Sequence, residues 1–312
     1  MPLSTKDLIG LRTLSKKDLE FILSQAVYFK EVLSRPIKQV PALRGKTIVN
    51  LFCEPSTRTR CSFDMAIKNL SASALTVSVN TSSVTKGESL LDTVKNLEAM
   101  GVDAFIIRHS MGGVPKFIAD HSNIPIINAG DGFCEHPTQA LLDIFTMQEE
   151  KGYLKGKKVV ILGDIKHSRV ARSNIWGLKK LGCDVVVCGP PTLIPEEIEK
   201  TGVKVCYNLQ EALADADFIN VLRIQMERQR VGLFPSAREY HSLFGINRKT
   251  LKYAKKDVTI LHPGPINRGV EITSEIADGP YNVILHQVTN GIAIRMAVLF
   301  LLLTKRNKGQ TT

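Results

Sequence analysis

Residues 47–60, TIVNLFCEPSTRTR, contain three local signals whose order along the chain predicts the fold class. Residues 47–52 form an apolar, β-branched run of strand length. Residues 54–60 form a hydroxyl-rich polar turn, and a helical pattern follows over 62–70. A strand, a polar turn and a helix in that order predict one βα unit of a parallel sheet.

The same alternation of apolar runs and helical patterns occupies most of the chain. It pauses at the polar connector KGYLKGKK, residues 151–158, and then starts again. Strands of parallel sheets are covered on both faces and therefore read as continuous apolar runs. We predict an α/β fold of two doubly wound parallel-sheet domains. The predicted strands are 47–52, 74–79, 103–108 and 124–128 in the first series, and 159–164, 184–189, 203–207, 217–223 and 257–262 in the second.

Long helices are predicted at both ends and in the middle of the chain. Ser15 with Asp18 resembles a capping box and predicts a helix start. Residues 136–150 and 283–303 also read as long helices, the second strongly apolar. We place the first domain at residues 1–138 plus 291–312 and the second domain at 139–290.

Composition is that of a soluble globular protein, with 23% charged residues among 312. A formal net charge of +11 is compatible with nucleic-acid binding or with a site for anionic substrates. Aromatic residues make up 6% and do not interleave with basic ones, which favours the second interpretation. No N-terminal stretch resembles a signal peptide, and the apolar run 296–303 is too short to span a bilayer. We expect a cytoplasmic protein that binds neither nucleic acid nor membranes.

The cysteines predict neither a disulfide framework nor a zinc site. None of them forms a C-x-x-C pair, and several lie in apolar strand-like runs. We predict buried, reduced thiols and no metal. The six positions are Cys53, Cys61, Cys134, Cys183, Cys188 and Cys206.

The turn 54–60 has the composition of a phosphate site. Free N–H groups and the dipole at the start of a helix attract an anion, and hydroxyls and guanidiniums complete its coordination. Simple N-capping by Ser56 or Thr57 is the alternative, but it explains one hydroxyl and not three interleaved with two arginines. Arg108 ends a predicted strand, where a side chain reaches the ligand edge of a parallel sheet.

Six motifs in order resemble those of the aspartate and ornithine carbamoyltransferases. They span nearly the whole chain: EPSTRTR (54–60), KGESLLDT (86–93), HPTQ (136–139), GDIKHSRVARS (163–173), LRIQMER (222–228) and HPGPINRGVEI (262–272). The resemblance implies an active site in the cleft between the two domains. It also implies transfer of a carbamoyl group from carbamoyl phosphate to an amino acid, with no organic cofactor and no metal.

The resemblance assigns the first substrate to a set of polar residues. His136 and Gln139 are three apart at a predicted helix start, with proline at the first helical position, so both side chains share one face. By resemblance the catalytic residues are Arg58, Thr59, Lys86, Arg108 and His136. The carbamoyl-phosphate ligands are Ser56, Thr57, Arg58, Thr59, Ser82, Lys86, Arg108, His136 and Gln139.

The second substrate is predicted to be L-aspartate. The guanidiniums of Arg169 and Arg223 suit the two carboxylates of aspartate, whereas they would repel the cationic side chain of ornithine. Ornithine enzymes usually carry His-Cys-Leu-Pro where this chain has His-Pro-Gly-Pro at 262–265. A carbamoyltransferase that acts on a different amino acid is the first alternative. By resemblance the aspartate ligands are Lys86, Arg169, Arg223, Gln225, Gly264 and Pro265.

Assembly and domain closure are also implied by the resemblance alone. Glu54 would hold the closed form by linking to Arg169 and Arg228. Ser82 and Lys86 would reach the active site of the neighbouring subunit in a homotrimer with shared sites. Regulatory chains or other enzymes of pyrimidine biosynthesis are further partners that relatives have, and nothing in the sequence selects among these arrangements.

A dinucleotide-dependent dehydrogenase is the second alternative. The run VVILGD, residues 159–164, resembles the first strand of a dinucleotide-binding fold. The expected G-x-G-x-x-G is missing, because Gly163 is followed by Asp-Ile-Lys. The sequence therefore disfavours this function.

Overall fold

The computed structural model describes residues 3–78, 88–224 and 236–304. The chain divides into two compact units, and each is described by itself. The first unit comprises Met1–Leu142 and Val288–Thr312, and the second comprises Asp143–Gln287. The chain thus passes between the units at 142/143 and 287/288. The boundaries predicted from the sequence are 138/139 and 290/291.

The first unit contains a parallel sheet whose described strands run in the order β2-β1-β3-β4. Its strands are β1 (Thr47–Phe52), β2 (Ser73–Ser78), β3 (Ala104–His109) and β4 (Ile126–Asp131). The helices that begin here are α1 (Lys16–Ser34), α2 (Thr57–Asn69), α3 (Leu90–Ala99), α4 (Val114–His121) and α5 (Pro137–Lys151).

The second unit contains a separate parallel sheet in the order β7-β6-β5-β8-β9. Two parallel sheets with intervening helices confirm the predicted fold class. The strands are β5 (Lys158–Leu162), β6 (Asp184–Cys188), β7 (Lys204–Cys206), β8 (Phe218–Val221) and β9 (Thr259–Leu261). The helices are α6 (Arg169–Lys180), α7 (Leu209–Leu213), α8 (Ala237–Phe244), α9 (Arg248–Leu251), α10 (Ser274–Ala277) and α11 (Ile284–Leu303), the last continuing into the first unit.

Each sheet has one point where the order of its strands reverses. In the first unit the chain goes from β1 outward to β2 and then returns to the other side of β1 with β3. In the second unit the equivalent neighbours are β5 and β8. Ligands of doubly wound sheets bind beyond the carboxyl ends of the strands at such points. The segments after β1, β3, β5 and β8 are therefore where a site is expected.

Alternate strand residues build each core. In the first unit Val49, Leu51, Phe105 and Ile107 pack in one buried cluster with Ile126. Burying a side chain of this kind contributes about 1.5–3 kcal/mol relative to leaving it in water. The opposite strand faces are buried as well, which explains why the strands read as continuous apolar runs. An analogous cluster in the second unit lies around β5, β8 and β9.

The predicted start of α1 is confirmed, but only half of the capping box forms. Ser15 accepts a hydrogen bond from the amide of Asp18 at 3.0 Å. The carboxylate of Asp18 does not return to the N-cap amide; it accepts the amide of Ser4 at 3.1 Å instead. Aspartate is one methylene shorter than the glutamate of a capping box, and here it fastens the N-terminal segment to the helix.

The prediction that all cysteines are buried is wrong for part of the set. Cys61 and Cys134 are exposed, because they lie on the outer side of α2 and in the turn before α5. Cys183 and Cys188 are buried, and burial raises the pKa of each thiol to about 12. Burial also raises the pKa of the half-buried Cys53 to about 11. None of these six described cysteines forms a disulfide bond.

The apolar helix α11 is longer than the run that the sequence pattern measures. Among the described helices, this 20-residue helix alone is long and apolar enough to cross a membrane by length and composition. The apolar run 296–303 is therefore only part of a helix that is long enough to span a bilayer. However, 61% of its most apolar window is buried inside the protein, as expected of a core helix.

Candidate active site

In the first unit, the predicted phosphate turn and Arg108 lie at the same edge of the sheet. Phe52, the last residue of β1, pairs in register with Arg108 of β3. The amide of Cys53 then donates to the carbonyl oxygen of Arg108 at 2.9 Å. The turn that begins at Glu54 therefore leaves the sheet beside Arg108, at the point where the strand order reverses.

The start of α2 differs from the sequence prediction in a way that favours anion binding. The helix begins at Thr57, five residues before the predicted 62–70, with Ser56 as its N-cap. The Ser56 side chain accepts no capping hydrogen bond from the described part of the helix. By contrast, the serine N-caps of α1, α3, α6 and α8 each accept one. Simple capping therefore does not account for Ser56, and a helix start of this kind suits an anionic ligand.

The charges around this helix start also favour an anion. The first turn of α2 contains no acidic residue, although acids are the usual complement to the positive end of the helix dipole. Arg58 and Arg60 are exposed in that turn, and Thr59 is buried. An anion bound at this turn would balance both the dipole and the guanidiniums.

Arg108 is held in place from two sides within the first unit. Its Nη1 donates to the carbonyl oxygen of Ala129 at 3.0 Å, and its Nη2 donates to Glu54 Oε1 at 3.0 Å. Arg108 is 8% exposed, so the carboxylate of Glu54 offsets a charge that is nearly out of water. Sequence reasoning missed this pair, because it assigned Glu54 to arginines of the second domain. The proposed links of Glu54 to Arg169 and Arg228 stay a prediction.

His136 is positioned by the turn between β4 and α5. Asp131 accepts the amide of Glu135 at 3.0 Å, and both acids are buried. The helix starts at Pro137, the first helical position that proline suits, so His136 lies at its positive end and is 4% exposed. Gln139 lies three residues further on and is partly exposed. His136 therefore directly precedes α5 and Gln139 lies in its first turn; that the two side chains share one face stays a prediction.

In the second unit, Arg169 occupies an electrostatically unusual position. It is the first residue of α6 and is 5% exposed, while the preceding Ser168 caps the helix by accepting the amide of Ala171 at 3.1 Å. A guanidinium at the positive end of a helix dipole is unfavourable by itself. An anionic group bound there would relieve both charges, so the position is suited to a carboxylate.

Arg223 lies just after β8, the neighbouring strand of the same sheet. The amide of Leu222 donates to the carbonyl oxygen of Leu162 at 2.7 Å, which extends the pairing of β8 with β5. Gly163 has φ +125°, and a Cβ there would stand 3.1 Å from the Leu222 carbonyl oxygen, so this close approach requires glycine. Both predicted aspartate-binding arginines therefore follow the two strands at the reversal point of this sheet.

The loop that contains the predicted ligands Gly264 and Pro265 follows β9, next to β8. Gly264 has φ +62°, a conformation that favours glycine, and the Gly264–Pro265 peptide is cis. The preceding His262 is buried, whereas Gly264 is partly exposed and Pro265 exposed. The loop therefore presents its backbone to the surface at the carboxyl edge of the sheet.

Some predicted site residues cannot be placed. Ser82, Lys86, Gln225 and Arg228 lie outside the described residues. Within residues 3–78, 88–224 and 236–304, no group of three or more His, Cys, Asp or Glu side chains is arranged to hold a metal ion.

Comparison with known families matches both halves of the chain. Residues 6–149 match the model "Aspartate/ornithine carbamoyltransferase, carbamoyl-P binding domain". Residues 155–302 match "Aspartate/ornithine carbamoyltransferase, Asp/Orn binding domain". The chain belongs to the aspartate/ornithine carbamoyltransferase family. The resemblance drawn from the six motifs is thus confirmed.

Relatives of this carbamoyltransferase chain are similar over their full length. The aspartate carbamoyltransferase catalytic subunit of Syntrophobacter fumaroxidans is 58% identical, with 97% of this chain and 99% of that protein covered. The catalytic subunit of the same name from Endomicrobium trichonymphae is 57% identical, with both chains fully covered.

Solved structures of both branches of the family share this fold. Ornithine carbamoyltransferase from Pyrococcus furiosus has a TM-score of 0.86 at 31% identity, covering 97% of this chain and 99% of that one. Aspartate transcarbamoylase from Trypanosoma cruzi in complex with carbamoyl phosphate and aspartate has a TM-score of 0.85 at 27% identity, covering 96% and 97%. The fold therefore does not discriminate between the two amino acids, and side chains must.

Proposed function

We propose that this carbamoyltransferase moves the carbamoyl group of carbamoyl phosphate onto the α-amine of L-aspartate. The products are N-carbamoyl-L-aspartate and phosphate, in pyrimidine biosynthesis. The observation that carries the choice of amino acid is the buried guanidinium of Arg169 at the positive end of α6, with Arg223 after the neighbouring strand. Two such groups match a dicarboxylate and would repel the ammonium side chain of ornithine. Relatives that are 57–58% identical over almost their whole length are aspartate enzymes by name.

The first unit would hold carbamoyl phosphate. The phosphate would accept hydrogen bonds from the first-turn amides and hydroxyls of Ser56, Thr57 and Thr59, and from Arg58. Arg108, Thr59 and His136 would donate to the carbonyl oxygen, and Gln139 would contact the carbamoyl amide. The donors on rigid strand and helix ends are preorganised, which is the property that electrostatic catalysis needs.

The carbamoyl group can pass directly from one substrate to the other, with no covalent intermediate on the enzyme. The lone pair of the aspartate α-amine attacks the carbonyl carbon, so a C–N bond forms and negative charge grows on the carbonyl oxygen. As that charge collapses, the bond from the carbon to the phosphate oxygen breaks. Phosphate leaves, held by Arg58 and Lys86, and it accepts the proton that the amine loses. Much of the acceleration would come from orienting the two substrates.

Purified protein is expected to use aspartate and not ornithine. The test measures carbamoyl-amino-acid formation with carbamoyl phosphate and either amino acid at equal concentration. Because two carboxylates meet two guanidiniums, saturable product formation is expected with aspartate alone. Product with ornithine alone would overturn the aspartate assignment and leave carbamoyl transfer intact. Product with neither amino acid would overturn both.

We further propose a cytoplasmic homotrimer with active sites shared between neighbouring subunits. Ser82 and Lys86, in the polar segment SSVTKGES (82–89), would complete the site of the next subunit. Glu54 and Arg228 would support the closed form once both substrates are bound. A regulatory chain or another enzyme of the pathway is a further candidate partner.

Shared sites predict complementation between two inactive variants. Lys86→Ala removes the donated group, and Arg58→Ala damages the phosphate turn of the receiving subunit. Mixed trimers made by dissociating and reassociating the two variants should regain activity, because each mixed trimer contains one intact pairing. Native mass spectrometry would confirm the mixed trimers, and each variant reassociated alone is the control. Mixed trimers without recovered activity would show that each site is built from a single chain.

A further inference from the structure

A buried acid organises the loop that carries Gly264 and Pro265. Glu271 has no exposed surface, and neither proposed substrate role nor the six-motif resemblance assigns it a function. Its Oε1 receives two hydrogen bonds, from His262 Nε2 at 3.1 Å and from the amide of Asn267 at 2.6 Å. Glu271 therefore ties both ends of residues 262–267, here called the proline loop, to one atom.

The hydrogen bonds around His262 identify its tautomer. The amide of Gly264 donates to His262 Nδ1 at 2.8 Å, so that nitrogen carries a lone pair. The hydrogen of a neutral ring then lies on Nε2 and points to the carboxylate of Glu271. The imidazole thus bridges the amide of Gly264 and the buried acid, and it fixes the loop backbone at a predicted aspartate ligand.

The same cluster reaches the segment that carries Arg223. The side-chain amide of Asn267 donates to the carbonyl oxygen of Ile224 at 3.0 Å, one residue after Arg223. The acid holds the amide of Asn267, and Asn267 holds Ile224. One carboxylate therefore sets the relative positions of two chain segments that both contain predicted aspartate ligands.

A second set of contacts fixes the start of the proline loop independently. The amide of His262 donates to Gln287 Oε1 at 2.9 Å, and Gln287 donates to the buried Asp143 at 2.7 Å. These bonds do not involve Glu271. Loss of its carboxylate should therefore loosen the proline loop without releasing its attachment to the core of the unit.

We propose that Glu271 is a positioning residue for the second substrate. Its carboxylate holds the proline loop and the Arg223 segment in the geometry that binds the amino acid, through His262 and Asn267. This inference rests on the proposed aspartate site. Small displacements of positioning groups cost large factors in rate, so the effect should fall on aspartate and spare carbamoyl phosphate.

The test compares Glu271→Ala with Glu271→Gln, because glutamine keeps an acceptor oxygen for both donors. The alanine variant should raise the KM for aspartate about tenfold or more, as expected for ligands that lose their supporting shell. The KM for carbamoyl phosphate should stay within about twofold, since that substrate depends on preorganised groups of the first unit. The glutamine variant should recover most of the affinity for aspartate. Asn267→Ala removes only the side-chain contact with Ile224. Because Asn267 is partly exposed, this variant should fold, and it serves as the test if Glu271→Ala does not fold.

Asp217 provides a matched control for loss of stability. It is also a buried acid of the second unit, accepting the amide of Lys158 at 2.9 Å and Lys255 Nζ at 2.8 Å. It immediately precedes β8 and so lies at the amino edge of the sheet, opposite the proposed site. Asp217→Ala should lower the midpoint of thermal unfolding and leave the KM for aspartate unchanged.

The positioning role would be overturned if Glu271→Ala and Asp217→Ala changed the KM for aspartate equally. It would also be overturned if the Glu271 variant changed the KM for aspartate and the KM for carbamoyl phosphate equally. Either result would leave Glu271 with a structural role only. An unchanged KM for aspartate in both Glu271→Ala and Asn267→Ala would overturn it too. If wild-type protein does not carbamoylate aspartate, the proposed function itself has failed, and that result is visible before any variant is made.

Discussion

Arg108→Ala is expected to lower kcat for carbamoyl transfer by about 10²- to 10³-fold, the loss typical when one donor to a developing oxyanion is removed. Arg108 is 8% exposed, and its guanidinium is held by the carbonyl oxygen of Ala129 and by Glu54, so it is already in place at the edge of the sheet. A donor in such a dry, fixed position acts more strongly than one in water. Steady-state kinetics at saturating concentrations of both substrates would measure the effect.

Two further variants separate charge from geometry in this prediction. Arg108→Lys keeps the positive charge but cannot make the forked contact, so it should recover only a small part of the rate. Glu54→Gln keeps the size of the partner and removes its charge, and should leave Arg108 in place. A kcat for Arg108→Ala within about threefold of wild type would contradict the oxyanion role. Urea unfolding of each variant would show whether a lost rate reflects a lost fold.

The fold was predictable because its signals are local. Buried parallel strands read as continuous apolar runs, as 47–52 does, and the polar turn after that run marks the carboxyl edge of the sheet. The pairing of Glu54 with Arg108 was not predictable. It depends on the register of β1 with β3, which places residues 54 positions apart in hydrogen-bonding distance. No local pattern encodes that register.

Two residues of the candidate site conflict with the usual residue preferences at helix starts, and these conflicts point to function. Ser56 is a good N-cap residue that makes no capping bond, and Arg169 is a cation at the positive end of a helix. The sequence displays the residue types at these positions but does not show where each helix begins. Such conflicts between local preference and position are expected at functional sites. Glu271 was missed because its donors, the ring of His262 and the amide of Asn267, are brought to it by a loop conformation that no local pattern predicts.

Arg169→Met is expected to raise the KM for aspartate by about 100-fold, since a charge-assisted hydrogen bond of about 3 kcal/mol corresponds to two factors of ten. Methionine keeps the apolar stem of a side chain that is 5% exposed, so the change removes mainly the charge. The KM for carbamoyl phosphate should change little, because its proposed ligands belong to the first unit. Initial rates over a wide range of aspartate concentration would measure both constants.

Arg172→Met is the matched control, because Arg172 lies one turn further along the same helix and is exposed. It should leave the KM for aspartate unchanged. The dependence on salt gives a second test: ions screen the attraction between a guanidinium and a carboxylate, so the wild-type KM for aspartate should rise with ionic strength. That rise should be shallower in Arg169→Met, which lacks one of the two attracting charges. If both methionine variants shift the KM alike, aspartate would be responding to the general positive charge of α6, and Arg169 would lose its place as a direct ligand.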